Sequence, residues 1–233
     1  MSPRLSHLLV ALCGIVGTVL LGTYFGVGFS VGLANLPPTI TQSQVVNLAT
    51  QYQNLWYLGT WLQATGSMLS VIFFLALVQR AGAAARLSGM LTLLGSAVLL
   101  AVVLLEGLFT IDLAQAAVNG HLATSLTSYD LMTMFIHIYP LAPAPLIFLA
   151  LGTVLVGSPV LPRSFGYLAL ALGGLFEIVG LVGLFTTPIL TLIPLALQSL
   201  WLLAAGIAFL VRPEKAPDPA AARAREGAIA QHE

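Results

Sequence analysis

Six apolar runs dominate this sequence, each long enough to cross a hydrocarbon core of about 30 Å as a helix. They are Leu8–Leu33, Leu55–Val78, Leu87–Ile111, Leu131–Val156, Phe165–Phe185 and Ile189–Val211. Charged residues make up only 7% of the chain, eight Lys and Arg with eight Asp and Glu. A soluble domain needs about a quarter, because its surface must hold water. Lipid is therefore the expected solvent, and the chain reads as an all-α integral membrane protein. The expected architecture is a six-transmembrane-helix bundle over residues 1–211. An Ala/Pro-rich tail, 212–233, follows and is expected to be disordered. The first run follows Arg4 but is too long for a signal-peptide core of roughly 7–15 residues, so it reads as an uncleaved span.

The cations set the orientation. Arg4 precedes the first run, Arg80 and Arg86 join the second to the third, and Arg163 joins the fourth to the fifth. Arg212, Lys215, Arg223 and Arg225 follow the sixth. All eight fall on one side, and the connections 34–54, 112–130 and 186–188 on the other side have none. Positive charge next to spans stays in the cytoplasm, so both termini are expected there, in the cell (inner or plasma) membrane. Glu106, Asp112, Asp130 and Glu177 belong to the opposite half.

Two outer connections carry local signals. Val45, Leu48, Tyr52 and Leu55 recur at helical spacing, which predicts an amphipathic extension of the second span. The stretch 112–130 reads as a connection, with Asn119-Gly120 as a turn and Ser128 as a cap for the fourth span. That fourth span should be broken. Pro140, Pro143 and Pro145 each remove a backbone donor and crowd the carbonyl four residues back, those of Ile136, Tyr139 and Leu141. In hydrocarbon, irregular backbone persists only where protein or a wet cavity covers it.

The chemistry should sit with the intramembrane polar groups, which are costly to insert. Glu106, His137 and Glu177 lie roughly 7–12 Å below the outer surface at 1.5 Å per residue, and Gln63 and Gln198 share that layer. Ala169, Gly173 and Glu177 recur at i, i+4, i+8, which predicts that Glu177 faces the bundle beside a small-residue contact stripe. Asp130, Met134 and His137 share a face of the fourth span. Thr18, Gly22 and Gly26 form a further stripe, read as a packing surface.

A carboxyl buried without a counter-ion is held as the neutral acid. Glu177 with His137 then makes an acid–base pair, with Glu106 as electrostatic stabiliser. Alternatively, Glu106, His137 and Glu177 could hold a divalent metal with one position open, although no short ligand motif supports it. No other cofactor is expected. Trp61, Phe109, Phe135, Tyr139, Phe176 and Trp201 would complete a substrate pocket, their ring faces suited to a developing cation.

Several functions are excluded. The lone Cys13 cannot build a disulfide framework, an iron–sulfur cluster or a cysteine zinc site. Zero formal charge and the lack of a basic stripe exclude nucleic acid. The only lysine, Lys215, lies in the tail, so no retinal Schiff base forms in the bundle. With no arginine in the outer half, anionic substrates have no clamp there. Three functions remain: an acid–base enzyme on an isoprenoid-, sterol- or quinone-like substrate, a small proton- or cation-coupled transporter, and a non-catalytic membrane subunit or ligand-binding sensor. The expected partners are membrane lipid, a hydrophobic or cationic small molecule, and further copies of the chain or a partner subunit.

Overall fold

The computed structural model describes residues 3–30, 41–185, 190 and 192–212. The start of the connection 34–54, the connection 186–188, the end of the first run and the tail beyond Arg212 lie outside these residues. The described chain forms eight helices: α1 (Pro3–Ser30), α2 (Gln42–Gln51), α3 (Gln53–Arg80), α4 (Leu87–Val118), α5 (Leu122–Leu141), α6 (Pro143–Val156), α7 (Arg163–Gly183) and α8 (Leu192–Val211). No strand occurs among the described residues. Six stretches are long and apolar enough to cross a membrane: Arg4–Gly28, Gln53–Arg80, Leu87–Val118, Leu122–Val156, Arg163–Gly183 and Leu192–Val211. The helical form follows from the solvent, because hydrocarbon offers no partner for a backbone N–H or C=O.

The stretch 112–130 is not the long connection its polarity suggested. α4 runs on to Val118 and α5 starts at Leu122, so only a tight turn separates them, with Gly120 at φ +75°. The polar residues there mark where the chain leaves hydrocarbon, and the Ala-rich sequence keeps its helix beyond that point. A 32-residue helix is about 48 Å long, well over the membrane core. Ser128 caps nothing. Its hydroxyl donates to Asp112 Oδ2 and ties the two projecting helices together.

α2 is a separate amphipathic helix rather than an extension of the second span. Tyr52, at φ −112° and ψ 26°, interrupts the chain between α2 and α3. Thr41 starts α2 with a capping box: the Gln44 amide N–H donates to the Thr41 hydroxyl, and the Thr41 N–H donates to Gln44 Oε1 at 2.9 Å. Val45 and Ala49, one turn apart, are buried with Leu113, Ala114, Ala117 and Tyr129. α2 therefore lies across the projecting ends of α4 and α5 as an outer cap. Thr41→Ala should cost the cap about 0.5–2 kcal/mol. The expected readout is faster amide exchange confined to α2, with α3 to α8 unchanged.

The spans pack as a ring. α1 lies between α3 and α8, α3 against α4, α4 against α5 and α6, and α7 against α6, with smaller contacts to α5 and α8. Glycines bring the backbones together. A Cβ on Gly17 would stand 3.0 Å from the Gly66 carbonyl oxygen, and one on Gly66 the same distance from that of Gly17. The stripe expected to do this, Gly22 and Gly26, meets nothing within 4 Å. α1 and α3 stay in contact on both sides of Gly22, through Leu21 against Gly66 and Tyr24 against Gly59, so Gly22 and Gly26 lie on a side of α1 that does not face α3. Phe73, Phe74, Leu77, Phe148, Phe176 and Trp201 fill the main core.

One end of the ring gathers the basic residues Arg4, Arg80, Arg86, Arg163 and Arg212. There the His7 Nε2–H donates to the Phe209 carbonyl (2.8 Å), and Arg80 Nη1 donates to His7 Nδ1 (3.2 Å). These partners imply the Nε2-protonated neutral ring. The Arg80 guanidinium also lies 5.2 Å from the centre of the Phe209 ring, and Arg212 Nη1 donates to the Pro159 carbonyl at 2.7 Å. α1, α3 and α8 are thus clasped together. Arg80→Met should lower stability by about 1–2 kcal/mol, read as a drop in the thermal midpoint of the purified protein.

Candidate functional site

In the acid half the ring does not fill. A cavity of about 300 Å³ lies between α1, α3, α4, α5 and α8, within the size range of small-molecule sites. Its single carboxyl is Glu106, on α4. Gln63 Nε2 on α3 donates to Glu106 Oε2 at 2.7 Å, and the Tyr24 hydroxyl on α1 donates to Oε1 at 3.4 Å. Three helices therefore converge on one acid. Thr110, a turn further along α4, spends its hydroxyl on the Glu106 carbonyl at 2.9 Å, so it does not compete for the carboxyl.

The rest of the wall is aromatic and apolar, with a second polar pair. Tyr24, Phe25, Tyr52, Trp56, Tyr129 and Phe135 all line the space. Across the cavity the Tyr139 hydroxyl donates to Gln198 Oε1 and joins α5 to α8. Tyr139 is held edge-on against Phe176, ring centres 5.7 Å apart. Trp56 is 8% exposed, and its indole N–H has no hydrogen-bond partner among the described residues. Among the described residues Glu106 faces no cation: Arg4, Arg80, Arg86, Arg163 and Arg212 gather at the opposite end of the ring.

The expected site is only partly assembled. Glu106, Gln63, Gln198, Phe135 and Tyr139 line the cavity. Glu177 does not; it is exposed on the outer face of α7 rather than turned into the bundle. The reason is geometric. Successive i+4 steps drift by about 40° each on a 3.6-residue helix, so two steps from Ala169 carry Glu177 about 80° off the contact stripe. Gly180, only about 20° from Ala169, stays on it, where a Cβ would come within 2.7 Å of the Pro140 carbonyl oxygen.

His137 is half-buried and outside the cavity. It shares a face with Asp130 and Met134 as the spacing predicts, but both are exposed, so that face turns outward. The acid–base pair of Glu177 with His137 is not formed. Nor do Glu106, His137 and Glu177 gather around a metal; no three His, Cys, Asp or Glu side chains do so among the described residues.

The aromatic expectations divide the same way. Trp61 is 57% exposed, while Trp56, on the same helix, holds the cavity wall. Phe109 stacks on Phe135 at 5.9 Å, one layer behind the lining. Phe176 and Trp201 are core residues, and the Trp201 indole N–H donates to the Phe165 carbonyl at 3.0 Å. Tyr24 was the residue not foreseen. Its depth in the first span puts this titratable phenol in the Glu106 layer, which is the signal that marks it in the sequence.

Compared with protein-family models, curated proteins and solved structures, the chain finds no match in any of the three. The class therefore rests on the chain itself. Its six spans present apolar side chains outward, among them Leu93, Leu104, Leu108, Leu168, Leu181 and Leu200, each more than half exposed. It is a multi-pass α-helical membrane protein.

Proposed function

We propose that this protein binds a hydrophobic cation in the Glu106 cavity and moves it across the membrane in exchange for a proton. The observation that carries this reading is a lone carboxyl, held by an amide and a phenol, in an aromatic cavity that has no cation among the described residues that line it. A carboxyl there is either protonated or paired with something positive from outside. Aromatic faces add their own attraction for ammonium groups. A proton and an organic cation thus compete for one position, which is the minimal requirement for exchange.

The finer topology belongs to the same proposal. Both termini lie in the cytoplasm of a cell membrane and the cavity opens toward the outer leaflet, because the basic residues collect at one end. The break between α5 and α6 at Ala142, among Pro140, Pro143 and Pro145, supplies a hinge beside Tyr139. Glu177, an acid turned toward lipid, suits a further copy of the chain or a partner subunit.

The test is a pH gradient imposed across vesicles containing the purified protein. Tetraphenylphosphonium should collapse it saturably, and only in vesicles that hold the protein. Glu177→Gln should leave this unchanged. Absence of both saturable binding and gradient collapse would remove the reading. The acid–base enzyme reading keeps one observation in its favour, the hydrogen-bonded pair of Tyr24 with Glu106. It would prevail if a co-purifying isoprenoid- or quinone-like lipid were converted and cations were ignored.

A further inference from the structure

A second recess lies on the lipid side of the same wall, between α1 and α8. Thr18, Val19, Gly22, Ala196, Leu200 and Leu203 line it, and it shares Phe25, Leu192, Leu195 and Ser199 with the Glu106 cavity. The two spaces thus adjoin along these four residues. The recess is almost wholly apolar. Its two hydroxyls are already committed, Thr18 to the Gly14 carbonyl at 2.7 Å and Ser199 to the Leu195 carbonyl at 2.9 Å.

Its shape is a wedge. Near the basic end α1 and α8 touch: a Cβ on Gly206 would lie 3.0 Å from Ile15 Cγ1 and 3.3 Å from the Ile15 nitrogen. Toward the acid half they part, and at Gly22 no atom of the described residues stands within 4 Å of where a Cβ would be. From Leu192 to Leu203 the recess runs about 16 Å along α8. A helix about 10 Å wide cannot follow a wedge that closes one turn past Leu203, whereas a flexible chain can.

We propose that this recess seats the hydrocarbon chain of the ligand whose cationic head binds at Glu106. The substrate class is then a single-chain amphiphilic cation, such as a long-chain amine or quaternary ammonium, drawn sideways from the bilayer. This rests on the cation-binding reading above and adds to it a place for the tail. Glu106 takes the head, Phe25 and Leu195 flank the ligand where the two spaces adjoin, and Gly22 leaves the room that the tail occupies. Lipid tails are as apolar as the recess, so the tail gains little from leaving the bilayer. The recess therefore acts by admitting a chain rather than by adding affinity.

The test compares two probes on the full-length protein in phosphatidylcholine nanodiscs. Tritiated tetraphenylphosphonium, which has no tail, reports the head site. Tetradecyltrimethylammonium, dosed by its mole fraction in the bilayer, competes with it. Gly22→Leu and, from the opposite wall, Ala196→Phe fill the recess with side chains. Each should weaken the long-chain competitor by at least about tenfold and leave tetraphenylphosphonium within twofold of wild type. Two variants on different helices guard against one failing to fold. If both probes shift equally, or neither shifts, the recess does not hold the tail and the proposal falls. The parent reading fails by a separate result, undiminished tetraphenylphosphonium binding by Glu106→Gln.

Discussion

Glu106→Gln is expected to abolish binding of hydrophobic cations while leaving the protein as stable as before, or more so. The substitution keeps the shape of the side chain and one oxygen that can accept from Gln63, while the Tyr24 hydroxyl, which now donates to the other carboxyl oxygen, can turn to accept from the amide nitrogen. What disappears is the charge. Removing one partner of a buried charge pair costs about 2–5 kcal/mol, which converts to a loss of at least about thirtyfold in affinity. Without ligand the sign reverses, because a neutral amide is cheaper than an acid in a site that lacks a cation. The measurement is equilibrium binding of tetraphenylphosphonium beside a thermal melt of the ligand-free protein. Wild-type affinity in Glu106→Gln would mean that the carboxyl is structural glue between α1, α3 and α4. A collapsed melt would also count against a ligand site, since it would make the acid part of the scaffold.

Gly166→Ala should give a large loss of stability from a single methyl group. The added Cβ would stand 2.6 Å from the Val156 nitrogen and 3.0 Å from the Gly152 carbonyl oxygen. Backbone atoms cannot rotate away as a side-chain end can. α6 and α7 must separate instead, and they share the most extensive helix contact in the protein. Gly152 and Gly173 stand under the same constraint, each with a backbone nitrogen of the facing helix 2.9 Å from its Cβ position. Overpacking of this kind typically costs about 1–3 kcal/mol. Gly174→Ala is the matched control, because its Cβ position has open space and helix propensity favours alanine. Unfolding in a titration of denaturing detergent should place Gly166→Ala well below wild type and Gly174→Ala at or above it. Equal midpoints for the two would show that the α6–α7 seam yields more easily than its geometry implies.

These cases also show which parts of the molecule were legible in the sequence. Span number and apolar length follow from the thickness of a bilayer, a constraint that acts on each segment alone. The same holds for depth: Glu106, Gln63 and Gln198 were placed in one layer by counting residues from the span ends, and all three line the cavity. Azimuth is different. Glu177 lies at the right depth but about 80° around α7 from Ala169, and the spacing that suggested an inward face accumulates that error with every turn. Trp56 and Trp61 carry the same side chain on the same helix, and rotation about the axis decides that Trp56 reaches the cavity while Trp61 is exposed. Glycine patterns failed for a related reason. Gly22 and Gly26 have the composition of a contact stripe, yet α1 meets α3 through Gly17, Leu21 and Tyr24 instead, and which side of a helix meets its neighbour is a property of two helices that one helix cannot encode. The polarity of 112–130 was read as a loop because leaving hydrocarbon and ending a helix were treated as one event.

The clasp of His7 with Phe209 joins residues 202 positions apart, so it closes the ring between the first helix and the last. A ribosome delivers α8 only at the end of the span series. Until then the nascent chain has one wall of the Glu106 chamber missing, and Gln198 is not yet there to receive Tyr139. The chamber is therefore born in one late step, and a chain halted before Leu192 would insert its five earlier spans yet have nowhere to keep a guest.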